Sequence, residues 1–166
     1  RKRSSAASDV YKRQVYLYEE SPQHVAGLVI NKPTKTKLQK IFAVKGFKTI
    51  NISDLVYSGG PVNQGNIIMM HTNEWKCKNT LPLANGISIT SDPQMLKKMH
   101  EQDQPQAWRV FSGLSIWSPG QLEGEINSKC WMTAIPTPEL SLETPTTQIY
   151  EKAIEICSKQ IIDKYI

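Results

Sequence analysis

The sequence has 166 residues, of which 39% are hydrophobic and 21% are charged, and its formal net charge at pH 7 is +5. This length and composition are typical of one soluble globular domain, and no apolar stretch approaches the roughly 20 residues that a membrane-spanning helix needs. The three cysteines, Cys77, Cys130 and Cys157, form no C-x-x-C pair. Their spacing favours reduced thiols in a cytoplasmic protein over a disulfide framework or a zinc site, so we expect neither a metal nor a cofactor.

The positive charge is concentrated at the start of the sequence. Residues 1–14 (RKRSSAASDVYKRQ) hold five basic residues and one acidic residue and so contribute +4 of the net charge of +5. Because DVYKRQ at 9–14 resembles the translation of a sequencing adaptor, we expect 1–14 to be a non-native tail before a domain formed by 15–166. A native basic arm that binds nucleic acid is the alternative. Without this arm, overall charge gives no reason to expect DNA or RNA as a partner.

The first half of the domain is predicted to consist mainly of strands. Four runs rich in β-branched, aromatic and apolar residues are predicted strands: Val15–Glu19, Val25–Asn31, Leu55–Tyr57 and Asn66–His71. A short polar connector joins the first two, which predicts a hairpin or two neighbouring strands. Thr34 can cap a helix over Lys35–Val44.

The second half alternates further strands with two helices. Three more runs are predicted strands: Ile87–Thr90, Ala107–Leu114 and Cys130–Ile135. Asp92-Pro93 and Thr144-Pro145 each combine a capping residue with a proline, which predicts that a helix starts at each place, the second over about Pro145–Lys164. Strands and helices without strict alternation predict one α+β domain, with a mixed, mainly antiparallel sheet that could close in part and with flanking helices.

The segment YSGGPVNQG (57–65) contains a paired glycine whose role has to be decided. The spacing from Gly60 to Gly65 matches a P-loop, but Asn66 stands where the phosphate-binding lysine should be. Pro61 also lacks the N–H that an anion-binding backbone would use. We therefore interpret Gly59-Gly60 as a turn that allows a close approach of neighbouring backbone.

Two residues that could take part in a reaction, His71 and Cys130, have ordinary structural explanations. His71 ends an apolar strand, where a hydrogen bond to the backbone is more common than a role as a base or ligand. Cys130 stands beside Trp131 in an apolar run and is predicted to be a core residue rather than a reactive thiol.

The segment WSPGQLEGE (117–125) predicts a helix start. Ser118 as N-cap and Gln121 three residues later would form a capping box, with Pro119 in the first helical position. Glu123 would favour the helix dipole. Capping leaves Trp117 unexplained, so a ligand site beside the helix N-terminus remains as a second interpretation.

Five motifs in one order resemble the AlgH/YqgE family of bacterial proteins. They are GLVINKP (27–33), SGGPV (58–62), the strand ending in His71, DPQML (92–96), and WSPGQLEGEI (117–126) followed by Trp131. The resemblance implies a compact cytosolic α+β domain whose biochemical function is unsettled, with some members labelled as transcriptional regulators. Family members carry an additional N-terminal segment with a strand, so 15–166 is expected to be a family domain that lacks its first strand.

These observations lead to two functional hypotheses. The first is a non-enzymatic binding or regulatory protein that uses one shared surface for a protein or small ligand. Its candidate residues are Asn31, Pro33, Gly59, Gly60, Pro61, His71, Trp117, Gly120, Gln121 and Glu123. The alternative is a hydrolase or transferase that uses His71, Asn31 and Glu123. A missing first strand would also leave an open sheet edge at Val15–Glu19, through which the chain is expected to self-associate.

Overall fold

The computed structural model describes residues 12–48 and 51–165. Within these ranges the chain forms one eight-stranded sheet with flanking helices. The strands are β1 (Val15–Glu20), β2 (Val25–Val29), β3 (Pro33–Lys37), β4 (Leu55–Ser58), β5 (Val62–Thr72), β6 (Leu81–Pro82), β7 (Ile87–Thr90) and β8 (Trp108–Trp117). The α-helices are α1 (Leu38–Val44), α2 (Gln94–His100), α3 (Gln121–Asn127) and α4 (Ile149–Tyr165), and Glu139–Glu143 forms a π-helical turn.

Strand β8 lies at the centre of the sheet and organises its shape. One of its edges pairs with β5 in antiparallel orientation. Its other edge is divided between β4, which runs parallel to it, and β2, which runs antiparallel. The eight strands together form one strongly curled sheet, a half-barrel. This confirms the predicted α+β domain with a mainly antiparallel sheet.

Two hydrophobic clusters cover the two faces of the sheet. Alternation along the strands separates them, because successive side chains point to opposite faces. Met70 packs with the π-helical turn and α4, whereas its neighbour Met69 packs with α1 and α2. Phe111 and Val110 of β8 divide in the same way. The sheet is therefore buried on both faces at its centre.

The two sheet ends differ from the centre. Strand β1 pairs only with β2 among the described residues, and Leu17 on it is 46% exposed. Self-association through this edge stays a prediction.

Residues 1–11 of the predicted tail lie outside the described residues, whereas 12–14 run alongside Asn31. In the described ranges no helix is long and apolar enough to cross a membrane.

The predicted helix over 35–44 was wrong at its start. Residues Pro33–Lys37 form β3, which pairs with β4 through Pro33 opposite Tyr57 and Lys37 opposite Leu55. The Thr34 hydroxyl donates to the Val56 carbonyl at 2.7 Å instead of capping a helix. Pairing with a distant strand has overridden the local capping signal.

The predicted strand over 130–135 was also wrong. This segment is irregular, and Cys130 is exposed rather than part of the core. Residues 131–136 make no backbone–backbone hydrogen bond within the described part of the chain. Their side chains favour strand formation, but no neighbouring strand is placed to pair with them.

The predicted last helix began too early. Helix α4 starts at Ile149, after a turn in which the Gln148 N–H donates to the Pro145 carbonyl. Ile149 and Ala153 of this helix are buried, whereas Ile161 near its end is 53% exposed. By contrast, the helix predicted at Asp92-Pro93 is confirmed as α2, with the Asp92 carboxylate accepting the Gln94 N–H at 2.9 Å.

Candidate functional site

The paired glycine makes a close backbone contact with β8. A Cβ atom added at Gly59 would lie 2.3 Å from the Gly113 carbonyl oxygen, and one added at Gly60 would lie 2.3 Å from the Leu114 carbonyl. Gly113 itself has a left-handed φ of +74°, and a Cβ there would lie 2.5 Å from the Gly60 oxygen. We call Gly59, Gly60 and Gly113 the glycine corner. Its geometry confirms the predicted turn with a close approach and leaves no space for a phosphate.

Asn31 lies next to this corner and holds the start of the described chain. Its Oδ1 accepts the Gln14 N–H at 2.9 Å, and its Nδ2 donates to the Lys12 carbonyl at 2.6 Å. Pro33 is exposed at the start of β3, and Pro61 is exposed after the glycines. The Ser58 N–H donates to the Lys32 carbonyl at 2.9 Å. The structure thus brings the Asn31–Pro33 segment and the glycine corner together through backbone contacts.

The second group of predicted residues surrounds a carboxylate. The indole N–H groups of Trp117 and Trp131 donate to Glu125 Oε2 at 3.2 and 2.7 Å, and Gln121 Nε2 donates to Glu125 Oε1 at 3.1 Å. The two tryptophan rings pack edge to face with centroids 6.3 Å apart. The hydrogen bond from Trp131, with smaller contributions from Gln121 and Trp117, lowers the pKa of Glu125 below its ordinary value. We call these four residues the Trp–Glu cluster.

Helix α3 begins differently from the predicted capping box. Its N-cap is Gly120 with φ of +76°, and Ser118 makes no side-chain cap. One half of the predicted box is present, because Gln121 Oε1 accepts the Ser118 N–H at 3.0 Å. Glu123 is exposed in the first turn. The tight turn over Pro119 needs the left-handed glycine, and the helix can start only after it.

The two tryptophans of the Trp–Glu cluster, Trp117 and Trp131, line a cavity with a volume of about 290 Å³. The cavity lies between β1, the end of β8, α3 and residues 131–141. Its apolar walls include Tyr16, Ile30, Trp117, Leu122, Ile126 and Leu140. No charged side chain lines it among the described residues. Burial against this wall raises the pKa of the Tyr16 hydroxyl.

The cavity contains a small number of polar groups, and one of them has no partner. Gln14, Thr133 and Ser141 line it. Ser141 is 1% exposed, and its Oγ has no hydrogen-bond partner within residues 12–48 and 51–165. A buried hydroxyl without a partner is costly, and native proteins contain few of them. An apolar pocket with a few convergent polar groups is the usual form of a small-molecule site.

Buried Arg109 fixes the side of the cavity that carries Ser141. Its guanidinium donates to the Thr144 carbonyl and, at 3.2 Å, to the Ile30 carbonyl. It also lies over the ring of Tyr57, 5.3 Å from the centroid. Burial lowers the pKa of Arg109. These bonds tie the loop after the π-helical turn to the end of β2, so the cavity wall is held by the core of the sheet.

His71 lies elsewhere and is fully engaged in a buried network. Its Nδ1 lies 2.8 Å from the Thr72 carbonyl, which can only accept, so Nδ1 carries the proton. Its Nε2 then accepts from the Thr90 hydroxyl at 2.8 Å, and Thr90 Oγ1 lies 2.7 Å from Thr80 Oγ1. The ring packs edge-on to Trp75. Burial is the main cause that lowers the pKa of His71, which favours the neutral ring.

The structure therefore separates His71 from the Trp–Glu cluster. His71 pairs with Trp108, the first residue of β8, whereas Trp117 is the last. A second depression of about 690 Å³ lies between β5 and α2, and the candidate residues do not line it. Among the described residues no three His, Cys, Asp or Glu side chains are grouped to hold a metal ion.

Residues 4–161 of the sequence match the AlgH-like family, DUF179. The chain belongs to this family. A UPF0301 protein of Polaromonas sp. is 32% identical over 158 residues, which cover 90% of this chain and 80% of that protein. A UPF0301 protein of Proteus mirabilis is 29% identical over 160 residues, covering 92% of this chain and 86% of that protein.

Two solved structures share the fold of this AlgH-like chain. The solution structure of AlgH from Pseudomonas aeruginosa matches with a TM-score of 0.75 at 24% identity, over 87% of this chain and 78% of that one. The crystal structure of DIP2367 from Corynebacterium diphtheriae matches with a TM-score of 0.65 at 22% identity, over 84% and 74% of the two chains. At these identities the likeness establishes the fold alone.

The candidate predicted from the sequence is Glu123, but in the structure the carboxylate that accepts hydrogen bonds from Trp117, Trp131 and Gln121 is that of Glu125. A local signal for Glu125 was present, since Gln121 and Glu125 are four residues apart and face each other on a helix. Ser141 gave no local signal. Its significance depends on a cavity that β1, the end of β8, α3 and residues 131–141 enclose together.

Proposed function

We propose that this AlgH-like protein is a non-enzymatic binding protein of regulatory type, which holds a small ligand in the cavity between β1, α3 and residues 131–141. The observation that carries the proposal is the cavity of about 290 Å³, with apolar walls and with the Ser141 hydroxyl, which has no hydrogen-bond partner among the described residues. Residues 131–136 form its outer wall without backbone–backbone hydrogen bonds among the described residues. A wall held mainly by side chains can respond to what the cavity contains.

The geometry of His71 favours binding over catalysis. A general base has to reach a substrate proton with a free nitrogen. Both ring nitrogens of His71 are occupied, and the ring is fully buried. Asn31 is engaged with Lys12 and Gln14, and Glu123 is exposed on a different element. The described residues thus give the hydrolase or transferase alternative no assembled site.

Two further parts of the proposal concern where and on what the protein acts. Three free cysteines, one of them exposed, suit a reducing compartment such as the cytoplasm. We propose that regulation works through ligand occupancy rather than direct contact with nucleic acid, because residues 1–14 hold +4 of the net charge of +5.

Fragment binding followed by ¹H–¹⁵N NMR tests the proposal. The four tryptophans give separate indole N–H signals, of which Trp117 and Trp131 lie at the cavity and Trp75 does not. We expect small fragments to shift the signals of Trp117 and Trp131 and to leave that of Trp75, which donates to Asp103, unchanged. Shifts centred on His71 and Thr90, or none at Trp117 and Trp131, would contradict it.

A further inference from the structure

We infer that the cavity binds a neutral apolar molecule of the size of two fused rings. This molecule carries one hydroxyl or carbonyl group, which Ser141 binds. The inference rests on the proposed function and adds the chemical class of the ligand. Three observations support it. They are the volume of the cavity, the absence of charged side chains among the described residues that line it, and the Ser141 hydroxyl, which has no hydrogen-bond partner among the described residues.

The volume sets the size of the ligand. An apolar protein cavity of about 150 Å³ is large enough to bind benzene. The cavity here has about 290 Å³, which accommodates two fused rings. The edge-to-face pair of Trp117 and Trp131 forms one wall, and such indole surfaces favour flat apolar or aromatic partners.

The lining determines the charge of the ligand. Among the described residues no Lys, Arg or His lines the cavity, so a bound anion would lose its hydration without gaining a counter-charge. The carboxylate of Glu125, which accepts from both tryptophans and Gln121, is not part of the lining. A cationic ligand would therefore find no counter-charge among the described lining residues. A neutral molecule meets neither obstacle.

Ser141 determines the polar group of the ligand. Its hydroxyl is buried in the cavity wall and has neither donor nor acceptor within the described residues. A hydroxyl can donate to a carbonyl and can also accept from a hydroxyl. One such group on an otherwise apolar ligand would remove the unsatisfied state of Ser141, and a second polar group would face the apolar wall without a partner.

Three probes of nearly equal size test the ligand class on the full chain: naphthalene, 2-naphthol and 2-naphthoate. We expect 2-naphthol to bind about threefold to tenfold more tightly than naphthalene, as one neutral hydrogen bond provides, and 2-naphthoate to bind more than about tenfold more weakly than 2-naphthol. Ser141→Ala should remove the advantage of 2-naphthol and leave naphthalene binding unchanged. Ser53→Ala, at an exposed serine, is the matched control and should retain the advantage.

Two measurements distinguish the possible outcomes. Calorimetric titration gives the affinity of each probe, and the indole N–H signals of Trp117 and Trp131 show whether it binds at the cavity. If 2-naphthoate binds most tightly at Trp117 and Trp131, or if Ser141→Ala keeps the preference for 2-naphthol, the ligand class is wrong while the proposed function stands. If no probe shifts these two signals, both are wrong. Ala134→Trp, which fills the cavity from its irregular wall, should abolish binding of every probe while the Trp75 signal reports an intact fold. Retained binding in this variant would overturn the location.

Discussion

The glycine corner and the cavity lie along the same strand, β8, and pack in opposite ways. At Gly113 the backbones of two segments touch, and a single additional Cβ would lie within 2.5 Å of another main-chain atom. At Trp117, four residues later, large side chains meet around an empty volume of about 290 Å³. The first region has no space for a ligand, although its sequence resembles a phosphate-binding loop. The second keeps both space and a hydroxyl that has no partner within residues 12–48 and 51–165, as binding sites do.

The largest expected effect comes from filling the glycine corner. Gly59→Ala would place a Cβ 2.3 Å from the Gly113 oxygen and 2.8 Å from Leu28. Because backbone cannot move aside as a side chain can, we expect a loss of about 3 kcal/mol in the free energy of unfolding, measured by urea denaturation. Gly65→Ala, where a Cβ meets nothing within 4 Å, should change it by less than about 0.5 kcal/mol. Equal costs at both positions would refute the close contact.

The His71 network should give the next largest effect, and it tests the structural role of this histidine. His71→Leu removes the histidine partner of the Thr72 carbonyl and of the Thr90 hydroxyl, which keeps Thr80, so we expect a loss of about 2 kcal/mol in the free energy of unfolding. His24→Leu is the control, since His24 is half-buried and its side chain pairs with Glu19 and Ser21 in the described part of the chain, and it should cost less than about 1 kcal/mol.

The same histidine predicts a dependence of stability on pH. Burial lowers the pKa of His71 below its ordinary value of 6.5, so below pH 6.5 the unfolded chain binds a proton that the folded chain does not. The contribution of the neutral His71 ring to the free energy of unfolding is fully present above pH 6.5. It is lost as the pH falls below 6.5, by at most about 1.4 kcal/mol per pH unit. Unfolding measured between pH 7 and pH 5 should show this loss in the wild type and not in His71→Leu. An unchanged pH profile in His71→Leu would count against the neutral buried ring.

The sequence predicted the elements whose patterns are local and missed those that depend on distant neighbours. The strands around Val25 and Ile87 carry continuous apolar runs and were found. Strand β3 was read as the start of a helix, because only its pairing with β4 makes Pro33–Lys37 a strand. The prediction for residues 131–136 was wrong in the opposite direction. Their side chains favour strand formation, but no strand among the described residues pairs with them.

The candidate site was predictable only in part, for the same reason. Trp117 and Gln121 stood in a recognisable motif, and the structure places both in the Trp–Glu cluster. Ser141 could not be found from the sequence, because nothing near it indicates a cavity. The cavity exists because several distant elements leave the space between them unfilled, and the sequence of no single segment indicates it.

A smaller effect distinguishes the two neighbouring glutamates of α3. Glu125→Gln replaces the charged acceptor of two indoles, and we expect a loss of about 1 kcal/mol in the free energy of unfolding. Exposed Glu123→Gln should change it by less than about 0.5 kcal/mol. Hydrogen bonds lower the pKa of Glu125 below 4.5, so this stabilisation is present above pH 4.5 and is lost as the pH falls through the lower folded value. Similar costs for both variants at pH 7 would show that the cluster contributes nothing.

The smallest expected effect has the opposite sign and addresses the cavity itself. Ser141→Ala removes a buried hydroxyl that has no partner among the described residues, so the desolvation cost that this group imposes on the folded state disappears. We expect the free energy of unfolding to rise by about 0.5 to 1 kcal/mol, against no change for exposed Ser53→Ala. Stability and binding would then respond in opposite directions to one substitution, since the alanine variant folds better and loses its preference for 2-naphthol. At the glycine corner, by contrast, we expect an added Cβ to lower stability. A loss of stability in Ser141→Ala would mean that the hydroxyl already has a partner, and the difference between the two regions of β8 would then be one of volume alone.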